Sequence, residues 1–123
     1  MTPFVPVTST PAAPLAEAPK ELVRARISHY YPGWGGPNCF NFVNGRCISR
    51  MASGKNWEKY IDQACACPAE FAFGTQFVVM GKTWTCLDRG GAIVREGNKI
   101  WLDLLTKEKV VPHGEVLKVE VLR

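Results

Sequence analysis

The sequence has no long apolar run and no cluster of like charges. No stretch approaches the roughly 18 consecutive apolar residues that a membrane-spanning helix needs, and residues 1–10 have neither a basic start nor a continuous apolar core. We therefore expect no membrane span and no signal peptide in this chain. Lys and Arg total 15 against 11 Asp and Glu, and their dispersal predicts a solvated surface and no nucleic-acid partner.

The chain is also short and poor in histidine. At 123 residues and 13.6 kDa, with 46% hydrophobic and 21% charged residues, it is long enough for one small domain and too short for a multidomain enzyme. Only His29 and His113 are present, each stands alone in the sequence, and we assign neither a role. We expect no bound metal and no cofactor.

Proline is concentrated at the start of the chain, where five of the nine prolines lie within residues 1–20 among Thr, Ser and Ala. Such a composition cannot bury enough apolar surface to offset the conformational entropy lost on ordering. We therefore predict a Pro-rich extended arm at residues 1–20 and a folded domain at residues 21–123. An arm of this kind could dock on a larger assembly or on a parent chain.

The folded part is predicted to be mainly β. Residues 22–30 alternate apolar and polar side chains, which indicates a strand with one buried face. Residues 53–64 place apolar side chains at helical spacing and predict one short helix, capped by Ser53. Further short runs rich in Val, Ile, Thr and Trp occupy residues 76–80, 82–87, 92–94, 99–105 and 116–122. About six strands with one helix suggest a small closed barrel, which leaves no sheet edge exposed.

Five cysteines are many for a chain of this length. Cys39 and Cys47 flank an Asn-Gly turn signal, so a hairpin would bring their sulfur atoms within bonding range. Cys65 and Cys67 lie on one face of any extended strand, and either could pair with Cys86 while the other stays free. Disulfides imply an oxidising compartment. A zinc site is the alternative, although the Cys-x-Cys spacing lacks the two-residue spacer of a zinc knuckle.

Two carboxyl groups are candidates for catalysis. Asp103 lies inside an apolar strand on the same face as Trp101 and Leu105, where lost hydration favours a protonated carboxyl group that can act as a general acid. The alternative is a strand-edge Asp that accepts local amide hydrogen bonds. Asp88 precedes Arg-Gly-Gly, and it either shares the site or opens a turn by accepting backbone amide hydrogen bonds.

Aromatic side chains accompany these carboxyl groups and suggest a polysaccharide cleft in which one acid protonates a glycosidic oxygen. The loop at residues 31–38 is rich in Gly, Pro and aromatic rings, a composition that allows close approach to a ligand. Trp57 and Trp84 are assigned to the core instead. The candidate stacking platforms are Tyr30, Tyr31, Trp34 and Trp101.

Four segments resemble the motifs of the 3D domain family, which is named for three aspartates and reads approximately T-A-S-G, A-V-D-P with P-L-G-T, D-x-G-G-x-I and a final D. In this chain they are Met-Ala-Ser-Gly at residues 51–54, Ala-Cys-Pro-Ala-Glu-Phe-Ala-Phe-Gly-Thr at residues 66–75, Leu-Asp-Arg-Gly-Gly-Ala-Ile at residues 87–93 and Trp-Leu-Asp at residues 101–103. The resemblance covers residues 27–122, and its closing run at residues 113–121 is similar to the last strand of the family.

The resemblance implies a six-stranded double-psi β-barrel related to the A-type lytic transglycosylases and to stationary-phase survival and resuscitation-type muralytic proteins. It implies that Asp103 is the catalytic acid and Asp88 a supporting carboxylate, and it adds the motif residues Ser53, Gly90 and Gly91 to the substrate-binding aromatics. The implied reaction cleaves peptidoglycan and leaves a 1,6-anhydromuramyl end. The implied location is extracellular or cell-wall associated, after export or release by lysis.

The chain departs from the family pattern at two points. Cys67 stands where the family has its first aspartate, and the segment between Asp88 and Asp103 is longer by a few residues, around residues 95–98. A Cys67–Cys86 disulfide could replace the lost contact. The alternative function is a non-catalytic module that binds cell-wall polysaccharide, or a structural module of a virion or coat.

Overall fold

The computed structural model describes residues 20–123, which are mainly β. Apart from Lys20, the predicted arm at residues 1–20 lies outside the described residues. The strands of the described part are β1 Glu21–Tyr30, β2 Phe42–Val43, β3 Arg46–Cys47, β4 Ala64–Ala66, β5 Gln76–Val79, β6 Lys82–Asp88, β7 Arg95–Glu96, β8 Lys99–Leu105 and β9 Glu115–Leu122.

Six of these strands close into a mixed barrel, which confirms the expected fold. Their order around the ring is β1-β9-β5-β6-β4-β8, and the pairing of β8 with β1 closes it. The pairs β1/β8 and β4/β6 are parallel, whereas the other neighbours are antiparallel. The first three ring strands in sequence are β1, β4 and β5, and the last three are β6, β8 and β9. If each strand of the first set is exchanged with the corresponding strand of the second set, every strand keeps the same neighbours in the ring. The double-psi topology requires this internal two-fold relation.

The barrel interior is filled by alternate apolar residues of the ring strands. On β8, Ile100, Leu102 and Leu104 are almost fully buried, while the intervening residues are partly exposed. The same alternation puts Ala25 and Ile27 of β1 into the core. Trp84 is fully buried, as expected of a core residue. The period-two pattern of the sequence therefore predicts these strands correctly, because only one face of each strand is removed from water.

A second apolar cluster packs the long β1–β4 connection against one end of the barrel. Its buried members are Cys47, Met51, Trp57, Ala64, Leu87 and Leu105. The Trp57 indole Nε1 donates to the Cys47 carbonyl oxygen at 3.3 Å, which satisfies its buried N–H group. The connection contains the small hairpin β2/β3, and the cluster fixes where that hairpin lies relative to the barrel.

Two local predictions were wrong. The helix predicted over residues 53–64 is a single 3₁₀ turn, Trp57–Lys59, and its cap is Asn56, whose side-chain oxygen accepts from the Glu58 amide. The apolar side chains of this segment are held by the second cluster, not by a helix face. The strand predicted at residues 92–94 is a turn that leads into β7, because the Ile93 amide donates to the Gly90 carbonyl oxygen.

Two disulfides are present, Cys39–Cys47 and Cys67–Cys86, with Cα atoms 6.0 and 5.8 Å apart. The first closes the predicted hairpin, in which Asn44 and Gly45 both adopt positive φ angles. The second shows that Cys67, and not Cys65, pairs with Cys86. These bonds use four of the five cysteine sulfur atoms that could have served as zinc ligands, and they indicate an oxidising compartment.

The fifth cysteine, Cys65, is free and fully buried in the barrel core. Burial in apolar surroundings raises the pKa of its thiol, so the group behaves as a small apolar side chain. The described part of the chain contains no helix that is long and apolar enough to cross a membrane.

We expect the double variant Cys67→Ala/Cys86→Ala to lose more stability than Cys39→Ala/Cys47→Ala. The closed loops span 19 and 8 residues, for which chain entropy alone accounts for about 3 and about 2.5 kcal/mol. The inner pair, Cys67 and Cys86, is also fully buried, so its removal leaves a cavity, whereas the outer pair, Cys39 and Cys47, lies in a loop outside the barrel core. Urea unfolding of both variants beside the parent measures the difference, and an equal or larger loss in the outer pair contradicts the expectation.

Candidate functional site

A cleft of about 240 Å³ opens where three barrel strands place Asp88, Ala66 and Asp103 side by side. Ala66 of β4 pairs with Asp88 of β6 in parallel register and with Asp103 of β8 in antiparallel register. Its small side chain leaves room between the two carboxyl groups. The rest of the lining is formed by Tyr30, Pro32, Pro37, Asn38, Phe40, Ser49, Arg50, Met51, Trp57, Arg89, Gly90, Gly91 and Ile93.

Asp103 is the carboxyl group with acid character. Burial against the barrel raises its pKa from 3.8 to about 6, and the nearby Asp88 charge adds to the rise. A hydrogen bond from Ser28 and the charge of His113 oppose the shift without cancelling it. A substantial fraction of Asp103 is therefore protonated near pH 6, as the apolar strand context predicted.

A directed hydrogen-bond chain holds Asp103. The Trp101 indole Nε1 donates to Ser28 Oγ at 2.7 Å, and Ser28 Oγ donates to Asp103 Oδ1 at 2.8 Å. Because an indole N–H is only a donor, the Ser28 hydroxyl accepts from Trp101 and keeps its own proton to donate, and Asp103 Oδ1 at 2.8 Å is a closer acceptor than the Leu102 carbonyl oxygen at 3.5 Å. Oδ1 is thus occupied as an acceptor. Within residues 20–123, Oδ2 makes no hydrogen bond, so it is the oxygen that can carry a transferable proton.

Asp88 has a different environment, in which three donors converge on its carboxyl group. The amides of Ala52 and Arg89 both donate to Oδ1 at 2.8 Å, and Tyr30 Oη donates to Oδ2 at 2.8 Å. The Arg89 contact is the turn-forming interaction that the sequence suggested. The Ala52 contact reaches across 36 residues, so Asp88 ties the β1–β4 connection to the rim of the cleft.

Tyr30 remains a neutral donor in this arrangement. Burial raises the pKa of its phenol far above the usual range, and the Asp88 carboxylate that accepts its hydrogen bond adds to the rise. The ring packs with the second apolar cluster while its hydroxyl group faces Asp88. Tyr30 therefore positions the second carboxylate as well as lining the cleft.

The structure brings together some of the predicted substrate-binding residues and separates others. Tyr30, Gly90 and Gly91 line the cleft with Asp88 and Asp103. The other four do not line it: Tyr31, Trp34, Ser53 and Trp101.

Each of these four has another environment. Tyr31 packs edge-on against Trp34 and Trp57, and Trp34 is 58% exposed beside it. Ser53 contributes its backbone amide, which donates to the Leu87 carbonyl oxygen at 3.0 Å. Trp101 acts from outside the cleft, through Ser28.

Several side chains at the site were not identified from the sequence. Ser28 contacts Asp103 only because β1 and β8 run parallel in a register that pairs them. Phe40 and Arg50 belong to the β1–β4 connection, and no motif singled them out. Arg89 was visible in the Asp-Arg-Gly-Gly motif, but its contacts depend on the disulfide nearby.

Arg89 lines the cleft and lies against the buried Cys67–Cys86 disulfide. Arg89 Nη1 lies 3.1 Å from both Cys67 Sγ and Cys86 Sγ, and Nη2 donates to the Phe71 carbonyl oxygen at 2.7 Å. Its guanidinium also stacks on the Phe73 ring, 4.1 Å from the ring centroid. The cation is therefore held in place beside Cys67.

The two histidines lie together at 5.9 Å between ring centroids, outside the cleft. His29 Nε2 accepts from the Val110 amide at 3.0 Å, and burial is the largest cause that lowers its pKa. Within the described residues, no group of three or more His, Cys, Asp or Glu side chains is arranged to hold a metal ion.

Comparison with known proteins finds no matching family model, no matching curated protein and no matching solved structure.

We expect the stability difference between Asp103→Asn and the parent to depend on pH. The folded-state pKa of about 6 lies above the usual 3.8, so the native state binds more protons than the unfolded state between these values. Parent stability consequently falls as pH rises through this window, by at most about 3 kcal/mol, whereas Asn cannot ionise.

Urea unfolding of both proteins at pH 4 and pH 7 tests this expectation. The free energy of unfolding of Asp103→Asn should rise relative to that of the parent between pH 4 and pH 7. A stability difference that is the same at both pH values would contradict the raised pKa of Asp103.

Proposed function

We propose that this protein is a 3D-type double-psi barrel that cleaves the glycan strands of peptidoglycan as a lytic transglycosylase, with Asp103 as its single acid and base. The observation that carries the proposal is the Asp103 carboxyl group, which lines the cleft and has a pKa of about 6. Its hydrogen-bonding partner, Ser28, is already oriented toward it. A group with this pKa can both donate a proton and take one back near neutral pH.

The reaction would use Asp103 twice. In the first half, the proton on the Asp103 carboxyl group passes to the glycosidic oxygen, and the bond between that oxygen and the anomeric carbon of N-acetylmuramic acid breaks. In the second half, the Asp103 carboxylate takes the proton of the muramyl 6-hydroxyl group as that oxygen bonds to the same anomeric carbon. The product is a 1,6-anhydromuramyl end, and Asp103 is protonated again.

The environments of the two carboxyl groups support a one-acid mechanism. Asp88 accepts three hydrogen bonds from the protein, so it has little capacity left for proton transfer. Asp103 accepts one side-chain hydrogen bond and keeps its second oxygen available. In the proposed enzyme Asp88 holds the rim of the cleft, and its charge adds to the rise in the pKa of Asp103.

A second candidate function is a non-catalytic module that binds cell-wall polysaccharide. The Cys67–Cys86 disulfide favours it, because a covalent bond and the Arg89 guanidinium occupy the place of the first family aspartate. For either function we propose an extracellular or cell-wall location, reached by export or by lysis. The two disulfides are compatible with this location.

We expect soluble anhydromuropeptides when the protein is incubated with peptidoglycan sacculi, and none with Asp103→Asn. Loss of a general acid lowers the rate by about 100-fold to 10,000-fold. The matched control is Asp62→Asn, the same change at an exposed Asp outside the cleft, which should retain the parent rate. Mass spectrometry of the soluble fraction is the measurement.

The outcomes separate the two candidate functions. Anhydro products from the parent and from Asp62→Asn, but not from Asp103→Asn, support the transglycosylase. No products from any protein, while all of them sediment with the sacculi, rejects catalysis and supports the binding module.

We expect kcat/KM to fall about tenfold per pH unit above pH 6, because only the protonated form of Asp103 starts the reaction. Ser28→Ala removes the hydrogen bond that lowers the pKa of Asp103, so this limb of the profile should move to higher pH. A purely structural role of Ser28 would lower the rate without moving the limb. The pH dependence of anhydromuropeptide release by both proteins distinguishes these cases.

A further inference from the structure

One wall of the cleft is a closed loop with an unusual surface. Residues 39–50, here called the cleft loop, contain the Cys39–Cys47 disulfide and the hairpin β2/β3. The Ile48 amide also donates to the Asn41 carbonyl oxygen at 2.9 Å, which continues the hairpin beyond its two strands. The loop is therefore cross-linked covalently and by hydrogen bonds, and side chains on it are presented from a constrained backbone.

Phe40 is the most exposed large apolar residue of the described part. Its side chain is 99% exposed, yet it lines the cleft that contains Asp88 and Asp103. Leaving a whole phenyl ring in water forgoes the free energy of burying it. An exposed ring beside a polar cleft is suited to stacking on the apolar face of a sugar.

Arg50 is the second notable side chain of the cleft loop. It lines the cleft and also a second depression of about 160 Å³, and Ser49 and Arg50 are common to both. Its only hydrogen bond within residues 20–123 is a long one of 3.4 Å to the Gly54 carbonyl oxygen. The second depression is otherwise lined by Arg46, Cys47, Ile48, Asn56 and Glu58.

The neighbouring arginines are already engaged. Arg46 forms a two-pronged ion pair with Glu58, and Arg89 is held by backbone carbonyls and by the inner disulfide. Arg50 has no carboxylate partner in the described part of the chain. Its guanidinium is thus available to an anionic group of a ligand, and the fork of five N–H groups suits a carboxylate.

We propose that the cleft loop is a subsite for a sugar that carries a carboxylate substituent, with Phe40 stacking on the sugar ring and Arg50 binding the carboxylate. The substituent would extend from the cleft over Arg50 into the second depression. The proposal rests on the proposed function in that it takes the cleft to be a glycan site. It adds that the site selects acidic, muramyl-type glycans over neutral chitin-type glycans with a similar backbone.

The test measures binding separately from cleavage. Full-length protein carrying Asp103→Asn is titrated calorimetrically with a peptidoglycan tetrasaccharide that retains its lactyl carboxylates and with chitotetraose. Arg50→Gln in this background should weaken binding of the acidic tetrasaccharide about tenfold and change chitotetraose binding less than twofold. Added salt should reduce the preference for the acidic ligand in the protein that retains Arg50, but not in Arg50→Gln.

Phe40 is tested in the same background. Phe40→Ala should weaken binding of both tetrasaccharides about tenfold, and Phe40→Trp should restore it, because stacking depends on the ring and not on ligand charge. The matched controls are Arg24→Gln and Leu22→Ala, which change an exposed arginine and an exposed apolar residue of β1, outside the cleft loop. Neither residue lines the cleft or the second depression, so neither change should alter binding.

The outcomes distinguish failure of this inference from failure of the proposed function. If the parent releases anhydromuropeptides but Arg50→Gln weakens both ligands equally, or neither, the subsite is overturned and the enzyme stands. If binding depends on Arg50 and Phe40 as expected but the parent releases no product, the subsite stands on a binding module. Absence of binding to both ligands overturns the subsite.

Discussion

The parallel pairing of β1 with β8 is the contact on which the rest of the structure depends. It joins the first and the fifth barrel strand in sequence and closes the ring, so no ring strand is left with an unpaired edge. The same register pairs Ser28 with Asp103. A shift by one residue would turn the inward apolar side chains outward and would also separate these two residues. Core and site therefore share one structural requirement.

Environment, more than residue type, separates the roles of the two aspartates. Ala66 stands between them, and both line one cleft, yet Asp88 accepts three hydrogen bonds whereas the largely buried Asp103 accepts one from a side chain. Asp88 organises backbone, because two amides and a phenol converge on it. Asp103 has acid character, because burial disfavours its charged form. In the proposed enzyme this asymmetry replaces the pair of carboxyl groups that most glycosidases use.

Each disulfide stabilises a different side of the cleft. Cys67–Cys86 joins the end of β4 to β6 in the core and provides the surface on which Arg89 is held. Cys39–Cys47 closes a loop whose exposed apolar surface could not fold by burial alone. A small domain gains from such cross-links where loops contribute little core. The free thiol of Cys65 needs no partner, because it is sealed inside the barrel.

Local pattern in the sequence determined the long strands and the Asn-Gly hairpin with its Cys39–Cys47 bond, because each depends on neighbours within a few residues. The apolar strand around Asp103 indicated its acid character, but the groups that set its pKa are brought together by the tertiary structure. Local pattern misassigned residues 53–64, where apolar spacing reflected packing on the barrel instead of a helix. Only the tertiary structure decided that Cys67 pairs with Cys86, that Ser28 contacts Asp103 and that Phe40 and Arg50 reach the cleft. These contacts join residues far apart in the chain, and their distances follow from strand order and register, which no local pattern encodes.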